Sequence, residues 1–101
     1  MKTRKTKDIQ KVLLKKGFIL EPMKDHHQFY YLAIDGKKQA IYTYFSHGKN
    51  EYDKSLMNHI KKQLKFKETE KAEDFFDCPM SKEQYIQMLE DNGDIKKNHK
   101  I

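Results

Sequence analysis

The residues best suited to chemistry in this chain stand in one short run, Lys24-Asp25-His26-His27-Gln28-Phe29-Tyr30-Tyr31-Leu32. A neutral imidazole, with an ordinary pKa of roughly 6.5, moves protons readily near neutral pH, so His26 and His27 are candidates for acid–base work. The run that follows them alternates like a strand, and a period of two sends the two histidines to opposite faces of a sheet. One can then face outward over basic surface while the other packs or pairs. As polar residues at a strand edge the two would look the same. Adjacent strand residues diverge, and no third ligand has helical or hairpin spacing to them, so no metal site is expected. The single cysteine, Cys78, excludes an internal disulfide and offers no metal framework.

The elements that must position these residues follow from periodicity. Met1–Lys5 is a basic arm expected to fray. Thr6 is placed to cap a helix with Asp8 in its first turn, and Ile9, Val12 and Leu13 make its apolar face. Lys7, Lys11 and Lys15 recur every four residues as a basic ridge, and Gly17 ends the helix. Phe18-Ile19-Leu20 opens an extended segment that Pro22 confines to an edge or takes out of regular pairing. A second strand runs from about His27 to Ile34, Asp35-Gly36 signals a two-residue hairpin, and a third strand runs from about Lys38 to Phe45. That strand alternates cleanly, with Ile41, Thr43 and Phe45 on one face and Ala40, Tyr42 and Tyr44 on the other. With helices on one face of the sheet, the tyrosines of the other are free to stack on bases, or the C-terminal part covers them.

Ser46-His47-Gly48-Lys49 turns the chain after the third strand. Asp53 caps a second helix carrying Leu56, Met57, Ile60 and Leu64, whose N-terminus lies near His47 and could take an anion. His59 on that helix reads as a surface residue. A short helix within Glu68–Asp77 brings Phe75-Phe76. Ser81-Lys82-Glu83-Gln84 then reads as a capping box, with Met80 and Tyr85 at the hydrophobic-staple positions, and Gly93 ends the last helix. The chain therefore divides into a core at 1–67, an acidic helical extension packed on it at 68–93, and a disordered tail at 94–101.

A chain of 101 residues with 37% hydrophobic and 36% charged content supports one small domain, its thin core relying on six Tyr and six Phe. Charge is unevenly placed. Residues 1–67 hold 16 Lys and Arg against 6 Asp and Glu, whereas residues 68–101 hold 5 against 9. A basic body with an acidic extension is an electrostatic footprint for phosphates, although the same lysines would also serve solubility. No apolar run approaches the roughly 18 residues of a membrane span, and no signal-peptide core follows the basic start, so the chain reads as cytoplasmic.

The order helix, three strands, helix resembles the HicA family of small bacterial toxins, also called YcfA-like. The matching features are Lys7-Asp8-Ile9, Lys11-Val12-Leu13 and Lys16-Gly17-Phe18, then His26 in the place of the signature histidine with His27 in that of a common second histidine, the hairpin Asp35-Gly36-Lys37, His47 after the third strand and the helix Leu56–Leu64. They cover about residues 6–66, and the remainder is similar to an extension of longer relatives. The resemblance implies an α+β fold like a double-stranded-RNA-binding domain. It would have an α-β-β-β-α core, a three-stranded antiparallel sheet with helices on one face, and a C-terminal helical extension. It also implies a toxin of a type II toxin–antitoxin system, an mRNA interferase held inactive by a HicB-type antitoxin, with the signature histidine at His26. The glycine and serine that precede this histidine in the family are replaced by Lys24 and Asp25. Lys24 can hinder the close approach of RNA or supply a phosphate contact. Asp25 favours a protonated neighbouring imidazole.

RNA carries its own nucleophile, the 2′-OH, so cleavage without metal or cofactor needs only proton transfer and charge stabilisation. His26 would serve as general base on the 2′-OH or acid on the leaving 5′-oxygen. Lys24 and donors near Ser46–Lys49 would stabilise the phosphorane, with His47 shaping the loop or contacting phosphate. Candidate RNA contacts are thus Lys24, His27, Ser46, His47, Lys49, Lys7 and Lys11. Two other readings fit the same residues: a non-catalytic RNA-binding domain of the same fold, and a protein-interaction module.

Overall fold

Asp35 and Gly36 both adopt positive φ, 52° and 77°. This is the pairing a two-residue type I′ hairpin turn demands, and it sets the register of the sheet. In this computed structural model, which describes residues 1–24 (22–24 as backbone only), 27–46, 48–77 and 79–96, nine elements follow in order. They are β1 (Arg4–Lys5), α1 (Thr6–Lys15), β2 (Phe18–Lys24), β3 (His27–Ile34), β4 (Lys37–Ser46), β5 (Glu51–Tyr52), α2 (Lys54–Gln63), α3 (Thr69–Phe76) and α4 (Lys82–Asp91). The fold is α+β. Strands β2, β3 and β4 form an antiparallel meander in that order, and β1 pairs separately with β5. The β2–β3 register shifts between Glu21 and Lys24, where Pro22 removes a donor on this edge strand.

Alternation decides which residues form the core. Phe18, Tyr30, Leu32, Ile41, Thr43 and Phe45 turn to the helical side and are buried, meeting Ile9 and Leu13 of α1 and Met57 and Ile60 of α2. Thr43 is tolerated there because its hydroxyl donates to Gln63 Oε1 at 2.6 Å. Asp53 caps α2, accepting from the Leu56 amide at 3.0 Å. Ser81 and Gln84 complete both halves of the capping box of α4.

The C-terminal helices enlarge the same core. Phe18 meets Phe75 and Tyr85 at ring-centroid distances of 6.4 and 6.1 Å, and Phe66 meets the same two at 5.4 and 5.3 Å. Tyr85 is fully buried, its hydroxyl donates to the Leu64 carbonyl at 2.8 Å, and burial pushes its pKa far up. Because α3 and α4 attach through Phe18 and Phe66, they extend the helical layer. On the opposite sheet face Tyr42 and Tyr44 stay exposed, by 39% and 36%, while Tyr31 is half-buried. Ile95 also packs on this core.

Two local expectations are corrected. The N-terminal arm does not fray at Arg4–Lys5, which pair with Tyr52 and Glu51. Thr6 is not the cap of α1: Lys5 holds that position, while the Thr6 hydroxyl donates to the Lys49 carbonyl at 2.7 Å and its amide to Asn50 at 2.9 Å. Lys16, which caps the C-terminus of α1, is only 6% exposed, with its ammonium on the Met80 carbonyl and 5.8 Å from the Phe75 ring centroid.

Candidate nucleic-acid interface

Two surfaces meet at the end of the sheet where β4 gives way to β5. The first is a groove of about 740 Å³ between the start of α1 and the loop after β4, lined by Lys5, Thr6, Lys7, Gln10, Gln28, Ser46, Gly48, Lys49, Asn50 and Glu51. The Thr6 bonds to Lys49 and Asn50 tie its two walls together, and Gln10 Nε2 donates to Gln28 Oε1 at 2.9 Å between α1 and the sheet. Gly48, at φ +86°, supplies the left-handed turn that the loop requires. Lys5, Lys7 and Lys49 are exposed and make no ion pair with a described residue. Three cations thus face one groove alongside the single carboxylate of Glu51.

The second surface is the open face of the sheet. There Tyr31 and Tyr42 stack at 5.0 Å, and Phe29 lies 5.9 Å from Tyr42 and 5.4 Å from Tyr44. His27 closes the row, its ring edge-on to Tyr44 at 5.3 Å. The Lys38 ammonium sits 4.4 Å from the Tyr31 centroid and 2.5 Å from Glu21 Oε1, and the Glu21 hydrogen bond holds it above its ordinary value.

The register links the two surfaces: His27 pairs with Ser46 on one side and with Lys24 on the other. Of the residues expected from sequence to contact RNA, Lys7, Ser46 and Lys49 come together in the groove. His27 stands at the edge of the aromatic face beside Ser46. Lys11 is exposed one turn along α1 and does not line the groove. His26, His47, Asp25 and the Lys24 side chain lie outside the described residues. The N-terminus of α2 is not an open anion site, because the Asp53 carboxylate already occupies it.

Sequence reasoning missed Lys5, Gln10 and Gln28. No local signal marks them, since the groove is assembled by the β1–β5 pairing. It also placed His59 as a plain surface residue. His59 is exposed, and it lines a second hollow of about 320 Å³ with Tyr44, Ser46, Lys49, Tyr52 and Ser55, on the far side of the same loop. The buried Tyr52 hydroxyl there is raised by desolvation, against an opposing backbone hydrogen bond from Ser46. Among the described residues no group of three or more His, Cys, Asp and Glu side chains converges, and no helix is long and apolar enough to cross a membrane. No protein-family model, curated protein or solved structure matches this chain.

Proposed function

We propose that this protein is a HicA-like toxin, a metal-independent endoribonuclease that acts on mRNA in the cytoplasm and is restrained by a HicB-type antitoxin. The observation that carries the reading is the gathering of Lys5, Lys7, Ser46 and Lys49 around one groove, at the end of the sheet where β2 and β3 flank residues 25–26. A phosphate seated among those cations has its charge balanced, and an imidazole at His26 supplies proton transfer. The 2′-oxygen attacks phosphorus as His26 takes its proton. The P–O5′ bond breaks, the protonated His26 returns that proton to the leaving 5′-oxygen, and a 2′,3′-cyclic phosphate is left. Proton transfer from one imidazole is worth about 10²–10⁴-fold, which suits slow cleavage by a growth inhibitor. Lys24-Asp25, in place of the glycine and serine of the family signature, favours a second reading: an RNA-binding domain of the same fold that does not cut.

The test is RNA cleavage in EDTA between about pH 6 and 8, with the wild-type protein and His26→Ala side by side. Cleavage that His26→Ala abolishes while RNA binding persists is the expected result. Equal cutting by both proteins overturns the assignment of His26. Binding by both with cutting by neither selects the second reading.

A further inference from the structure

We infer that the open face of the sheet is a stacking platform for unpaired nucleotides, so that the nucleic acid this protein takes is single-stranded rather than duplex. The inference rests on the RNA reading above and names its substrate class. Four rings, Phe29, Tyr31, Tyr42 and Tyr44, form one array whose contacting planes lie 23–39° apart. Rings of similar orientation at 5.0–6.4 Å are spaced to continue into the π-faces of bases. Such contacts need bases splayed out of a helix. A duplex offers its phosphates and groove edges and keeps its π-faces stacked inside.

Charge selects the occupant. Glu21 is the one carboxylate on this face among the described residues, and Lys38 neutralises it while covering Tyr31. The array also leads into the cationic groove. Tyr44 borders the hollow that shares Ser46 and Lys49 with that groove, and His27 joins Tyr44 to the strand end at Ser46. A strand whose bases lie on the rings would therefore carry its phosphates past Lys49 toward Lys7. Among the described residues the C-terminal helices do not close this face, since α3 and α4 pack on the opposite side through Phe18 and Phe66.

Binding separates this inference from the catalytic reading when the probe is 2′-O-methyl RNA, which lacks the attacking hydroxyl. The full-length protein is titrated with a mixed-sequence single strand, with the same strand annealed to its complement, and with inorganic polyphosphate. The wild type should prefer the single strand to the duplex at least tenfold. Tyr42→Ala with Tyr44→Ala should weaken single-strand binding by roughly tenfold or more, and leave polyphosphate binding within about twofold because the cations remain. Tyr42→Phe with Tyr44→Phe keeps the rings and should retain single-strand binding, which separates stacking from any loss of folding. Equal binding of single strand and duplex by the wild type overturns the inference. So does single-strand binding unchanged in the alanine variant, which leaves the rings as a surface for a protein partner. In both cases the RNA reading survives, whereas a wild type that binds neither RNA form removes that reading and the platform together.

Discussion

Replacing Lys7 and Lys49 together by alanine should flatten the salt dependence of RNA binding by a calculable amount. Both ammonium groups are exposed, line one groove and lack an ion pair with any described residue, so each is available to displace a counterion from a phosphate. Each neutralised phosphate of a single strand contributes about 0.7 to the slope of log K against log salt, so losing two lowers the slope by about 1.4. Between about 50 and 200 mM salt the wild type should then lose roughly sevenfold more affinity than the variant. Fluorescence anisotropy with a labelled 2′-O-methyl strand, repeated across that range, measures both slopes. Lys11→Ala is the internal control: it removes the same charge from the next turn of α1, outside the groove, and should change the slope by less than half as much as Lys7→Ala. Equal effects of Lys7→Ala and Lys11→Ala would show that general charge, not the groove, holds the backbone. A slope unchanged in the double variant would refute the groove outright.

Two predictions concern the support beneath this surface. Tyr85→Phe removes a buried donor from the Leu64 carbonyl, at a cost of about 1–2 kcal/mol; thermal unfolding should fall by roughly 4–16 °C while RNA affinity is unchanged, and a shift under about 2 °C would contradict the bond's role. Asp77 titrates below its ordinary 3.8: partial burial pushes it up, but hydrogen bonds and charge from Arg4 and Lys2 outweigh that. Its contribution to stability is therefore complete above pH 3.8 and is lost as pH falls through the lower folded value. Because the carboxylate is 42% exposed, that contribution is below about 1 kcal/mol. Denaturant titrations at stepped pH should show a shallower acid limb for Asp77→Asn than for wild type, and identical limbs would remove the ion pair from the account.

Much of the sheet was legible because its signals are local. The period-two alternation of β4 separates Ile41, Thr43 and Phe45 from Tyr42 and Tyr44 without reference to anything else, and Asp35-Gly36 carries its own turn geometry. Asp53 and Ser81 act on amides three residues away. Lys16 shows where this legibility stops. Its partner, the Met80 carbonyl, is 64 residues away, and no pattern around Lys16 announces that its ammonium will be enclosed. The groove is illegible for the same reason: Lys5 and Lys49 become neighbours through bonds between Thr6 and residues 49–50, which neither segment displays alone.

The uneven charge of the chain takes a different meaning once the arm is seen in place. An acidic extension beside a basic body would weaken an RNA surface if its carboxylates faced the same solvent. Two of them, Glu73 and Asp77, hold the Arg4 guanidinium at 2.7 and 3.0 Å, with Phe76 beneath it at 5.2 Å, and Asp77 also takes Lys2 at 3.2 Å. The cations they neutralise belong to the arm, while Lys5, Lys7 and Lys49 keep their charge for the groove. The Arg4 side chain is only 10% exposed, and its backbone pairs with Tyr52 in the two-residue ladder. The Arg4–Glu73 pair, with side chains 10% and 28% exposed, is screened less than one in open water, and it helps anchor a strand pairing too short to hold by itself. The extension therefore bears on the groove through position: it fixes β1 against β5, and that pairing, with the Thr6 bonds to Lys49 and Asn50, sets where Lys49 stands relative to Lys7.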